Sequence, residues 1–305
     1  QKQEEREEIQ KKGAERMNVV HDSVCMEPVA QRKKNQWIAA AERVRKNKLA
    51  MFGLILVILM ILLAVFADFI APYPYEEQHL ADSLLGPCLK YPFGTDKYGR
   101  CILSRVIYGA RTSLLVGFAA VTVATLIGGC IGAIAGYFGG ILDNVLMRLI
   151  DIILSIPSML LAISISAMMG TGLLNTIVAI SIGSIGEFAR ITRASVLAER
   201  DQEYVEAVKA ISASNSRIIL RHILPNILAP LIVQYSLKIA AAILSAAGLS
   251  FVGLGVQPPT PEWGAMLSAG RSLIRYNWWL TLFPGLAIMI TVYGFNLFGD
   301  GLRDA

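Results

Sequence analysis

The sequence is poor in charge and in reactive side chains. Asp, Glu, Lys and Arg make up only 17% of its 305 residues, against about 25% in ordinary soluble domains. It has four cysteines and three histidines. His21, His79 and His222 stand alone, and nothing has metal-ligand spacing, so no metal residue is assigned. A G-x-x-x-x-G-K-[ST] loop is missing, so the chain does not itself hold ATP in that way. There is no serine elbow, no H-E-x-x-H and no carboxylate pair at catalytic spacing. The chain reads as a non-enzyme with no catalytic residue. No basic patch interleaved with aromatics is present, so nucleic acid is not an expected partner.

What is there in quantity is apolar. Hydrophobic residues make up 54% of the chain, and the mean hydropathy is +0.54. The fold class is all-α integral membrane, with the lipid bilayer as solvent. The net charge of +5 suits basic flanks facing a cytoplasm and anionic lipid.

Residues 1–48 are polar and mixed in sign, and read as a cytoplasmic N-terminal tail, solvated or disordered. Arg32, Lys33, Lys34, Arg43, Arg45, Lys46 and Lys48 crowd its end. Residues 49–67 carry no charge and are long enough to span. This run is too long, and too far from the start, for a signal peptide. The positive-inside rule puts the N-terminus in the cytoplasm, so 68–112 is an extracytoplasmic loop. Cys88 and Cys101 both fall in it. A bridge between them would close a short loop, worth on the order of 3 kcal/mol; two free thiols is the other reading. Cys25 and Cys130 have no obvious partner.

Five further spans are expected over 113–137, 146–169, 173–191, 226–254 and 278–298, making 113–305 a five-helix core. Gly128, Gly132, Gly136 and Gly140 recur every four residues, a smooth face for close helix packing. Pro157 predicts a kink in the third span. Arg148 and Asp151 stand three apart, where they can pair. Glu187, Arg190 and Arg193 arrive early in the fourth span and must meet headgroups or protein. Trp263 is expected at the membrane interface, and Tyr276, Trp278 and Trp279 in an aromatic belt.

The longest polar interruption in this core is 203–225, EYVEAVKAISASNSRIILRHILP. Counting spans places it in the cytoplasm. Tyr204, Ala207, Val208 and Ile211 share one side of a short helix, with Glu203, Glu206 and Lys209 elsewhere. Ser212, Ser214, Asn215 and Ser216 break the pattern and offer caps for a second short helix that ends at Pro225. The segment is either an amphipathic loop or a plug offered to something outside the membrane. Deep in the fifth span lies Lys238, near Gln234. A lone ammonium there costs at least about 2.5 kcal/mol, so it requires a polar cavity, a partner helix or a substrate route. Ser245 and Ala246 lie among small residues that follow it. Close packing and a translocation path both account for that face.

The 203–225 segment resembles the EAA loop of ABC-importer permeases. Glu206, Ala207, Leu224 and Pro225 match at the expected spacing. Val208 replaces the second Ala, Ser212 the Gly, and His222 the Ile. Ser212 implies either a bend without positive φ or a serine held at strain. Four longer stretches resemble the dipeptide/oligopeptide/nickel permeases, C-type subunit in particular: PFGTDKYGRCILSRVIYGARTSLLVG, AGYFGGILDNVLMRLIDIILSIPSMLLA, LSFVGLGVQPPTPEWGAML and FPGLAIMITVYGFNLFGDGLRDA.

The resemblance implies six transmembrane helices in the type I ABC importer (MetI-like) permease fold, in the bacterial inner membrane with both termini cytoplasmic. It implies a homologous B-type permease as heterodimer partner, two cytoplasmic ATPases that bind the ATP and Mg, and an extracytoplasmic solute-binding protein. Glu203, Tyr204, Glu206, Ala207, Val208, Ile211, Ser212, Leu224 and Pro225 would then couple to an ATPase. The cargo would be di- or oligopeptides, with a nickel chelate or glutathione as alternatives. A secondary transporter or channel subunit is the reading from another class.

Overall fold

The computed structural model describes residue 42 and residues 44–304. Most of the tail expected over 1–48, with Cys25, lies outside the described residues. Helix α1 (Lys48–Val65) is capped by Asn47, whose side chain accepts from the backbone N–H groups of Leu49 and Ala50. A short α2 (Ala67–Ile70) leads into an irregular loop. Helix α3 (Ile102–Phe138) begins well before the expected span at 113. Its early turns carry Arg105 and Arg111, whose charge hid them from a hydropathy reading. The Arg111 guanidinium donates to the Ala64 and Val65 carbonyls and meets Asp68 Oδ2 at 3.0 Å, closing the end of α1.

Helices α4 (Gly140–Leu154) and α5 (Ser158–Met169) replace the expected span at 146–169. They are bent by 84° at the Pro157 break. Proline has no N–H and pushes the residue before it out of the helical region, so the break falls where the sequence placed a kink. Then come α6 (Leu173–Arg200), α7 (Glu203–Ala210) and α8 (Asn215–Arg217). A π-helical turn (Ile218–Ile223) follows α8 and runs straight into α9 (Leu224–Phe251). The chain finishes with α10 (Trp263–Gly270) and α11 (Trp279–Arg303). Among the described residues five helices are long and apolar enough to cross a membrane, and the bent α4–α5 pair makes six if it counts as one span.

Helices α3 and α6 share the most extensive contact. A Cβ on Gly128 would lie 2.5 Å from the Ile185 carbonyl oxygen, and one on Gly136 would lie 2.9 Å from that of Arg193. The four-residue glycine repeat is therefore a packing face. Gly140 is not part of it; it has φ +62° in the turn into α4. At the other side of the bundle α1 lies on α11, with Gly53 against Leu297.

The loop end of the bundle is well built. Tyr91 is fully buried, and its hydroxyl donates to Asp82 Oδ2 at 2.9 Å. Phe93 stacks on Phe283 at 3.9 Å, and Trp279 Nε1 donates to the Thr95 carbonyl. Trp263, expected at the membrane interface, is instead fully buried, and its Nε1 donates to the Val106 carbonyl at 3.0 Å. Tyr276 and Trp278 are exposed as a belt requires, but Trp279 faces inward. Beside Trp263, the Glu262 carboxylate caps α10. Oε1 accepts from Gly264 N at 2.9 Å and from the Ser113 hydroxyl of α3 at 3.3 Å, and Oε2 accepts from Ala265 N at 2.8 Å. Burial pushes its carboxyl up, against the pull of those donors.

Of the two readings for Cys88 and Cys101, the bridge is not formed. Both are free thiols: Cys101 is buried at the start of α3, while Cys88 is exposed on the loop.

Candidate functional site

The first half of the 203–225 segment folds as expected into a short helix, α7, but its apolar face divides. Val205, unremarked in the sequence, is wholly buried, and Val208 packs beside it against the core. Their three-residue spacing was the available signal. Ala207 and Tyr204 face outward, and Ile211 is 78% exposed. The helix is thus rooted by two valines while an apolar strip stays open. Glu203 and Glu206 sit in its first turn, where the helix dipole favours them.

Helix α7 closes on Ser212, which has φ +58°. Its N–H donates to the Lys209 carbonyl at 2.9 Å, and that of Ala213 to the Val208 carbonyl at 3.4 Å. These are the two bonds of a Schellman closure, a position that usually takes glycine. Of the two outcomes open to Ser212, the strained one is realised, at a cost of about 1 kcal/mol.

Polar contacts fix the segment to three long helices. The Tyr204 hydroxyl donates to Glu199 Oε2 of α6 at 2.6 Å and accepts from Asn226 Nδ2 of α9 at 2.9 Å. Burial, then the Glu199 carboxylate, push that hydroxyl above its ordinary range. The Tyr137 hydroxyl of α3 donates to Asn215 Oδ1 at 2.9 Å. Arg200 donates to the Gly136 carbonyl and holds the Asp201 carboxyl below the usual carboxylate range.

Pro225 does not end the second helix. Lacking an N–H, it cannot continue the ordinary ladder. The preceding turn widens instead, and Leu224 N–H reaches the Ile219 carbonyl five residues back. Ile218, Ile223 and Ile227 are buried along this stretch. Asn215–Phe251 therefore forms one continuous helix of 37 residues.

Along α9, Lys238 has found the partner helix the sequence called for. Its Nζ pairs with Glu187 Oε2 of α6, and Gln234 Nε2 donates to the same oxygen at 3.5 Å. Glu187 was expected to meet headgroups or protein; the partner is now specific. Ser245 is partly exposed, whereas Ala246 is buried in the core and lines no open surface. Two further ion pairs lie nearer the α7 end of α6. Arg193 grips Asp143 of α4 through two bonds of 2.5 and 2.6 Å, and Arg190 meets Asp151 of α4 at 2.7 Å. Asp151 thus pairs across helices rather than with Arg148. With Arg148, these four residues line an open cavity of about 470 Å³.

A rooted helix with an open apolar strip thus precedes a continuous span that bears a charged pair. The model of the binding-protein-dependent transport system inner membrane component matches residues 128–305, and that of the N-terminal TM domain of oligopeptide transport permease C matches 35–87. The chain belongs to this family of transport permeases. It is 49% identical over 269 residues to the dipeptide transport system permease protein DppC of Alkalihalophilus pseudofirmus, covering 88% of each chain. It is 43% identical over 299 residues to the di/tripeptide transport system permease protein DppC of Pseudomonas aeruginosa, covering 95% of this chain and 97% of the other. The glutathione transport system permease protein GsiD of Escherichia coli is 44% identical over 270 residues, covering 88% and 89%. A solved chain from inward-facing forms of the MetNI methionine ABC transporter shares the fold, with a TM-score of 0.55 at 21% identity over 67% of this permease and 97% of that chain. Among its described residues the permease is all helical, and its family and relatives make it a component of an ABC importer.

Proposed function

We propose that the permease carries di- and oligopeptides inward across the bacterial inner membrane, with both termini in the cytoplasm. A homologous B-type permease would complete the route, and an extracytoplasmic binding protein would deliver the cargo. Two cytoplasmic ATPases, which hold the ATP and Mg, would drive it, so this chain supplies the route and the mechanical link but no hydrolysis. The reading rests above all on the open strip of Tyr204, Ala207 and Ile211 on a helix already rooted by Val205 and Val208. Such a strip suits a helix-in-groove contact, and ATPase closure would push it toward the bundle. Glu203, Glu206, Ser212, Leu224 and Pro225 shape that contact. Peptide cargo is supported by the dipeptide permease relatives.

The test is Ala207→Glu, a charge placed on the strip but away from the core. Membrane level should stay normal while peptide uptake and co-purification of the ATPases are lost. Normal uptake by this variant would sink the coupling role. Glutathione, itself a tripeptide, is the second reading because of the glutathione permease relative; competition between labelled dipeptide and glutathione for uptake separates the two.

A further inference from the structure

We propose that Glu187 and Lys238 form a bipolar site for the two charged ends of a peptide at the inner part of the route, a reading that rests on the peptide importer proposed above. At about 1.5 Å per residue, both lie roughly 20 Å from the loop-side ends of α6 and α9. They are the deepest acid and base of these two helices when counted from the α7 end.

The pair is not sealed. Its side chains keep 38% and 21% exposure for Glu187 and Lys238. Charges left open at that depth are retained where they face water or substrate, not lipid tails. The surrounding surface supports that assignment. Gln234, Lys238, Ala241 and Ser245 recur at helical spacing as a partly exposed polar and small strip on α9. Around it the exposed Ile232, Leu244 and Phe251 are large and apolar, as a lipid or subunit contact requires. Toward the α7 end, Arg190 and Asp151 continue the exposed charges into the open cavity between α4 and α6.

The pairing supplies the chemistry. With no cargo, carboxylate and ammonium neutralise each other, so neither is stranded. A zwitterionic peptide can exchange into this arrangement: its ammonium replaces Lys238 at Glu187, and its carboxylate replaces Glu187 at Lys238. No charge is left uncompensated after the exchange. Gln234 Nε2, already at the Glu187 oxygen, positions the acid. Peptides lacking one terminal charge leave one member of the pair without a partner.

The experiment compares uptake by the full importer of a free dipeptide, its N-acetyl form and its C-amide. Glu187→Gln and Lys238→Met are compared with wild type at equal amounts of assembled complex. Wild type should prefer the free dipeptide. Glu187→Gln should lower its uptake efficiency by about tenfold to a hundredfold while sparing the N-acetyl form. Lys238→Met should do the same with the C-amide spared. A uniform loss for all three peptides in both variants would make the pair structural only and overturn the proposal, as would unchanged preference. Failure of wild type to import any of the three peptides would sink the peptide reading itself, before the variants are compared.

Discussion

The hydroxyl of Tyr204 reaches Glu199 Oε2 at 2.6 Å, tying α7 to the end of α6. The Tyr204 hydroxyl oxygen in turn accepts from Asn226 Nδ2 of α9. One atom therefore links two long helices through the segment between them. Tyr204→Phe keeps the ring and removes both bonds. It should cost about 1 kcal/mol of stability and reduce peptide uptake per ATP hydrolysed, measured as the ratio of the two rates in proteoliposomes. An unchanged ratio would show that the link is not used in coupling.

Ser212→Gly should raise the melting temperature of the purified complex. The left-handed turn at φ +58° strains a serine and suits glycine. The gain should be at most about 0.5 kcal/mol, because relief of strain is partly offset by the greater chain entropy of glycine. Uptake should be unchanged, since the backbone bonds of Ser212 and Ala213 do not involve the side chain.

Glu262→Gln is nearly the same shape and should be destabilising. Each carboxylate oxygen accepts from a backbone N–H, of Gly264 or of Ala265. An amide turns an N–H₂ toward one of those donors, costing about 1–3 kcal/mol. Thermal unfolding of the complex in detergent reads this directly, and a melting temperature equal to wild type would contradict the assigned bonds.

Arg193→Ala leaves the Asp143 carboxylate, nearly buried, without its two bonds. The loss should be about 3 kcal/mol. Asp143→Asn combined with Arg193→Ala should recover part of it, because no buried charge remains. The double variant being as unstable as the single one would rule out the stranded charge as the cause.

Much of the architecture was legible because lipid-facing helices must be apolar over their whole length. The spans beginning near 49, 173 and 278 and the break at Pro157 followed from hydropathy and from proline's missing donor. What a span touches was less legible. Asp151 chose Arg190 over Arg148, and Lys238 found Glu187, because partners on other helices are set by packing that no local spacing records. Trp263 reads as an interface residue by type alone; only the neighbouring α3, which offers the Val106 carbonyl, explains its burial. Ser212 gave a sharper question than answer, since its backbone angle is decided by the closure of α7.

The widened turn before Pro225 has a mechanical meaning. Because the backbone does not break there, a push at Asn215 is felt at Lys238, about 35 Å along at ~1.5 Å per residue. A tilt of about 10° over that arm displaces the far end by roughly 6 Å, well beyond the reach of a salt bridge to any helix left behind. Asn215 and the charged pair are then two ends of one lever, and a tilt applied at the Asn215 end would also prise Glu187 from Lys238.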